Sequence, residues 1–248
     1  MHGTFVTANP ASVRGAPAGT AGTLVYAMDL GQDRVSWYAF DPATRALTNG
    51  TSGPGGVGNF VQTSPGAGPR HMVMTPLLGG GFVAHVICEM GNTIESFAVD
   101  DATGALGPRL GIVSTLPGGP TIISAADDDD GNSPSILAKA AEIVASADGL
   151  FIYVSNRGFP NAGYNSVCVL GVDPAGGALV HLEARESGGA FPRGLALVGA
   201  GGSTLLAGGQ DSDDVEAFAV NAASGLLTPA ARTTATGKIV NPVCFAEN

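Results

Sequence analysis

Apolar and polar residues alternate in short runs along most of the chain, and each run stops at a cluster of Gly, Pro, Asp or Asn. Alternation with a period of two predicts half-buried β-strands, and the clusters predict the turns that join them. One thirteen-residue phrase occurs four times: "VSWYAFDPATRAL" from Val35, "IESFAVDDATGAL" from Ile94, "VCVLGVDPAGGAL" from Val167 and "VEAFAVNAASGLL" from Val215. In each copy an alternating run meets Asp or Asn, then small turn residues, then Ala-Leu or Leu-Leu. That order predicts a hairpin with a tight turn.

Two further apolar runs precede each hairpin. The nearer are "GTLVYAMDLGQDRV", "GFVAHVICEMGNTI", "LFIYVSNRG" and "STLLAGGQDSDDV"; the farther include "RHMVMTP", "AEIVASADG" and "RGLALVGAGG". Each unit therefore reads as three or four antiparallel strands, and successive copies start 59, 73 and 48 residues apart. Four-stranded units repeating at this period predict an all-β fold, a β-propeller of four-stranded antiparallel blades, as one domain over 1–248. A β-sandwich would not need the same hairpin phrase in every unit. The only helix candidate, "SILAKAAEIVASA", overlaps a repeat strand in its second half. The long second interval holds an acidic insertion loop rich in Gly, Pro and Ser, 117–139. Four units and a solitary last strand, "IVNPVCFAEN", predict a chain that lacks the first blades of a larger ring and leaves an open sheet edge.

Composition sharpens this picture in three ways. With 44% hydrophobic and 13% charged residues, the chain can build a core. The formal charge of −10 argues against broad binding to nucleic acid or an anionic membrane, yet a few local arginines can still hold a small anion. The three cysteines, Cys88, Cys168 and Cys244, lie in apolar runs without a CxxC pair, so they are expected to be reduced and buried. No run of eighteen apolar residues predicts a membrane helix, and "MHGTFVTANP" lacks signal-peptide features, so a cytoplasmic setting is expected.

Propeller channels are lined by innermost strands, so chemistry is sought where those strands begin and the next ones end. The inner-strand starts "GPRH", "AAEI" and "FPRG" supply Arg70, His71, Glu142 and Arg193; the second-strand ends supply Asp29, Glu89, Arg157 and Gln210. Reading these as two tiers puts Arg70, Glu142 and Arg193 in equivalent places, and likewise Asp29, Glu89, Arg157 and Gln210. Guanidiniums converging on one channel make an anion trap, and a carboxylate such as Glu89 can act as a base. The plainer reading of each arginine is a salt bridge between blades. Other signals are weak. "DDDD" at 127–130 lacks the alternation and final glutamate of a calcium loop, and the histidines lack zinc spacing. "SGPGGVGNF" lacks the lysine of a phosphate loop, and no GxSxG elbow is present.

Three stretches, "GAGPRHMVMTP", "AAEIVASADGLFIYVSNRG" and the run from "GGAFPRG" to "AASGLLTP", resemble the β-propeller lactonase family. That family includes propeller-type 6-phosphogluconolactonases and 3-carboxy-cis,cis-muconate lactonizing enzymes. The resemblance runs from about residue 23 to the C-terminus. It implies a seven-bladed fold, a small anionic lactone or carboxylate as substrate, no metal and no cofactor. It also implies catalytic roles for Arg70, Glu89 and Arg193, with His2 the candidate for the family histidine. His71, Glu142, Arg157, Gln210 and Asp29 are expected to contact substrate. Cys88 stands where the family often has asparagine. The expected activity is hydrolysis of 6-phosphogluconolactone. The alternatives are the muconate cycloisomerase, a non-catalytic scaffold or an inactive remnant.

Overall fold

The computed structural model describes residues 6–8, 23–41, 43–50, 56, 58–117, 138–158 and 164–234. They form four antiparallel sheets, three of them four-stranded meanders in sequence order and the first a meander with a fifth strand off its path. The first contains β1 (Val6–Ala8), β2 (Thr23–Asp29), β3 (Arg34–Asp41), β4 (Ala46–Asn49) and β5 (Phe60–Gln62). The second contains β6 (Pro69–Pro76), β7 (Phe82–Cys88), β8 (Thr93–Val99) and β9 (Leu106–Ser114). The third is β10 (Ala138–Ala145), β11 (Phe151–Gly158), β12 (Ser166–Val172) and β13 (Leu179–Glu186). The fourth is β14 (Pro192–Val198), β15 (Thr204–Gly209), β16 (Asp214–Val220) and β17 (Leu227–Thr234). These are propeller blades. The helix candidate folds as strand β10 where it is described. The insertion between Pro117 and Ala138, the final strand candidate, His2 and Cys244 lie outside the described residues.

The recurring phrase is a turn with its own wiring. Asp41, Asp100, Asp173 and Asn221 each accept hydrogen bonds through their side chains from backbone amides two or three residues on. Such Asx turns stop the strand and start the reversal. In three copies the turn closes on a left-handed glycine (Gly104, Gly177, Gly225), whose amide donates to the carbonyl of the Asp or Asn. The first copy puts Arg45 there instead, with φ of 59°. β4 and β5 both pair with β3, one near each end, and most of "SGPGGVGNF" lies outside the described residues.

Consecutive sheets share cores. Tyr26, Trp37, Ala84 and Phe97 join the first and second, Ile87, Ile94, Ile152 and Leu170 the second and third, and Tyr153, Val169, Leu205 and Phe218 the third and fourth. The innermost strands β6, β10 and β14 lie side by side. An Asx residue just ahead of the third strand latches each blade to the next. Asp33 accepts from the amides of Gly66 and Gly68, Asn92 donates to the Ala138 carbonyl, and Asn165 accepts from the Phe191 amide. Cys88 and Cys168 are free and buried; burial pushes the Cys168 thiol up to about 12 and Cys88 well above its ordinary value.

His85 is fully buried between Thr75 and Ser96, at 2.8 and 2.9 Å, and burial lowers its pKa from 6.5 to about 4. The fold therefore holds neutral imidazole, and below pH 6.5 the unfolded chain binds the extra proton first. Stability is expected to be level above pH 6.5 and to fall by up to about 3 kcal/mol as pH drops toward 4. Denaturant titrations at pH 7 and pH 5 check this, and His85→Gln should reduce the difference between them.

Candidate active site

Three β-bulges build the site. In a regular strand neighbouring side chains point to opposite faces, but a bulge sets two residues against one and re-aims them. The pairing of β6 with β7 shifts between Pro69 and His71, that of β10 with β11 between Ala140 and Ile143, and that of β14 with β15 between Pro192 and Gly194. Arg70 and His71 thus oppose Ile87, Ala141 and Glu142 oppose Ser155, and Arg193 and Gly194 oppose Gly208.

That register corrects the tiers expected from the sequence. Arg70 and Arg193 are equivalent, but the third residue of their tier is Ala141; Glu142 is equivalent to His71 instead. The extra residue of a bulge cannot be placed by composition, so the one-residue slip was invisible. Asp29 also moves. It pairs with Arg34 as Cys88 pairs with Thr93, Asn156 with Ser166 and Gly209 with Asp214. Leu30, not Asp29, therefore stands in the place of Glu89, Arg157 and Gln210. Asp29 accepts from the Gln32 amide and lies 3.9 Å from Arg34, tied to its own turn.

The other expected residues that the structure describes come together, and His2 is not among them. Glu89 holds two arginines, with Oε2 3.1 Å from Arg70 Nε and Oε1 2.9 Å from Arg157 Nη2. Arg70 belongs to the same sheet as Glu89 and Arg157 to the next, so the blade-to-blade salt bridge is real for Arg157. Both guanidiniums also donate to backbone carbonyls, Arg70 to Ala141 and Arg157 to Lys139 and Ala140. Of these carbonyls only that of Ala141 lies inside the bulge; Lys139 and Ala140 keep their pairing with Arg157 and Asn156. His71 Nδ1 lies 2.6 Å from Glu142 Oε1 across the blade boundary, and Arg70 Nη1 is 3.2 Å from each ring nitrogen. With Nδ1–H donated to Glu142, Nε2 is left as the acceptor nitrogen.

Arg193 is different. Its Nη1 donates to Gln210 Oε1 at 2.9 Å, no carboxylate lies within ion-pair distance among the described residues, and its buried Nε has no acceptor there. Burial first, then the Arg157 charge, pull Arg70 below the usual arginine value; Glu89 and Glu142 oppose this and Arg193 adds to it. All these charges share one field. Among these five described side chains, three guanidiniums against two carboxylates leave one formal positive charge before His71 is counted. Glu89, expected as a base, has both oxygens occupied by arginines. Among the described residues no three His, Cys, Asp or Glu side chains gather as metal ligands, and no helix is long and apolar enough to cross a membrane.

The sequence reading missed the Asx latches and Phe191. The polar residue ending each second-strand cluster marked the latches. Phe191 was marked by its place: it precedes Pro-Arg as Gly68 does.

Comparison with known proteins agrees with this architecture. A protein described as 6-phosphogluconolactonase from Sodalis glossinidius is 32% identical over 213 residues, covering 86% of this chain and 55% of that protein. A probable 6-phosphogluconolactonase from Arthroderma benhamiae is 29% identical, covering 74% of this chain and 42% of that one. Among solved structures, the Pseudomonas aeruginosa periplasmic gluconolactonase PpgL superposes with a TM-score of 0.68 at 28% identity, over 94% of this chain and 55% of that one. The chain spans about half the length of the curated relatives it matches, 42% to 55% of those two. It matches the description "Lactonase, 7-bladed beta-propeller" over residues 16–246, and so it belongs to the seven-bladed β-propeller lactonase family.

Proposed function

We propose that the protein is a lactonase that hydrolyses an anionic sugar-acid lactone, 6-phosphogluconolactone before others. The observation that carries the reading is Arg193, whose guanidinium meets Gln210 but no carboxylate among the described residues. A half-buried cation with an unpartnered Nε and no counter-ion is costly, and a phosphate or carboxylate brought by the substrate would supply one. The names of the relatives add the lactone, since 6-phosphogluconolactonase recurs among them.

In this mechanism the arginines bind the anionic group and face the oxygen that gains charge during attack. Arg70 Nη1 turns from the His71 ring to the bound anion. Water adds to the lactone carbonyl carbon while the freed His71 Nε2 takes its proton, and Glu142 steadies the resulting imidazolium through Nδ1. The tetrahedral intermediate then collapses. The bond from the carbonyl carbon to the ring oxygen breaks, the proton passes from His71 to that oxygen, and the open-chain acid leaves. Glu89 acts as the clamp that aims Arg70 and Arg157.

The test is the hydrolysis rate of fresh 6-phosphogluconolactone with purified full-length protein. The reading expects acceleration well above the spontaneous rate, and no acceleration would remove it. A parallel assay with 3-carboxy-cis,cis-muconate, followed by loss of diene absorbance, would reveal the cycloisomerase instead.

A further inference from the structure

Phe191 adopts φ of +57°, the left-handed region, where a bulky side chain crowds its own backbone. The corresponding residue of the second sheet is Gly68, with φ of +64°. Four features make them equivalent. Each is followed by Pro-Arg. The Gly68 carbonyl accepts from the Glu89 amide at 2.7 Å, as the Phe191 carbonyl accepts from the Gln210 amide at 3.1 Å. The Gly68 amide donates to Asp33, as the Phe191 amide donates to Asn165, both at 2.8 Å. Each precedes the bulge that carries an arginine. Glycine suits this backbone, so the phenyl ring sits where the fold alone would not ask for one.

The ring lies over the Arg157 guanidinium, with Cζ 5.2 Å from its centroid. Arg157 is already fixed by Glu89 on the neighbouring sheet and by the carbonyls of Lys139 and Ala140. Its side chain is 6% exposed. A flat cation stacked on an aromatic face keeps its plane and loses little to water. Phe191 also adjoins Arg193, two residues on. One left-handed residue thus serves two arginines: its ring holds Arg157, and its backbone begins the bulge that presents Arg193.

We propose that Phe191 is a positioning residue for anion binding, setting the plane of Arg157 and, through their shared partner Glu89, that of Arg70. This rests on the lactonase reading above. The experiment compares wild type, Phe191→Gly, Phe191→Asn and Phe191→Trp for kcat and KM on 6-phosphogluconolactone, for 6-phosphogluconate binding by calorimetry, and for melting temperature. Gly and Asn both accept the left-handed backbone, so the fold survives and only the ring is lost. KM and the 6-phosphogluconate Kd are expected to rise about 5- to 30-fold in both, with kcat within about twofold of wild type. Phe191→Trp should restore both constants. Unchanged KM and Kd in the Gly and Asn variants would overturn the inference, whatever happens to melting. A rise that Phe191→Trp fails to reverse would overturn it too. Wild type that neither hydrolyses the lactone nor binds 6-phosphogluconate would bring down the functional reading, and this inference with it.

Discussion

Replacing Glu89 by alanine is expected to cost about 3–5 kcal/mol of stability, the largest effect of any single change in the site. The carboxylate is 16% exposed, and its two partners, Arg70 and Arg157, are 13% and 6% exposed. Removing one member of a buried ion pair leaves its partner charged, desolvated and unpaired. Here two guanidiniums would be left that way, and each lowers the comfort of the other: the Arg157 charge already pulls down the Arg70 pKa. Thermal unfolding should show a melting temperature lower by about 10 °C. Glu89→Gln keeps two acceptor lone pairs on one oxygen and should fall between the two. A Glu89→Ala protein that melts with wild type would mean that the arginines find water or other carboxylates, and the clamp would lose its role.

Arg193→Ala should behave in the opposite way, with little change in melting and a fall in kcat/KM for 6-phosphogluconolactone of about 10²–10³-fold. Arg193 has no ion pair to lose among the described residues, only the bond to Gln210. Its removal even abolishes the cost of a buried Nε without an acceptor. Arg193→Lys should recover only part of the activity, because an ammonium cannot offer the planar pair of donors. Steady-state kinetics beside a melting curve decide the matter. Equal losses of stability and activity would assign Arg193 to holding the blades together.

The two variants separate what the sequence made plain from what it hid. The blades were legible because the repeat is chemical: Asp or Asn opens each turn, three of the four close on glycine, and both leave a mark in composition. The gathering of Arg70, Glu89 and Arg193 was expected because strand ends in a propeller meet near its axis, but the clamp that joins Arg70 and Arg157 through Glu89 came from the structure. The bulges were not. Ala141 and Glu142 are neighbours in "AKAAEIVA", and only pairing with Ser155 shows that both share a single opposing residue. Hence the pairing of His71 with Glu142 came from the structure, and the sequence had each as a separate substrate contact. The slip at Asp29 has a similar origin, because a strand's last residue is set by hydrogen bonding to Arg34 and not by residue type. Phe191 carried a readable signal in its alignment with Gly68. Its meaning needed the backbone angle and the ring over Arg157.

The claim beneath all of this is that arginines from separate blades recognise the negative group of a lactone. Its most direct test is kcat/KM for 6-phosphogluconolactone divided by that for unphosphorylated gluconolactone, measured in wild type and in Arg193→Ala. The expected ratio is about 10²-fold or more in wild type, the same factor that Arg193→Ala costs with the phosphorylated lactone, and it should collapse toward unity in the variant because the unphosphorylated lactone has no anion to lose. A ratio near one in wild type, or one that Arg193→Ala leaves unchanged, would contradict it.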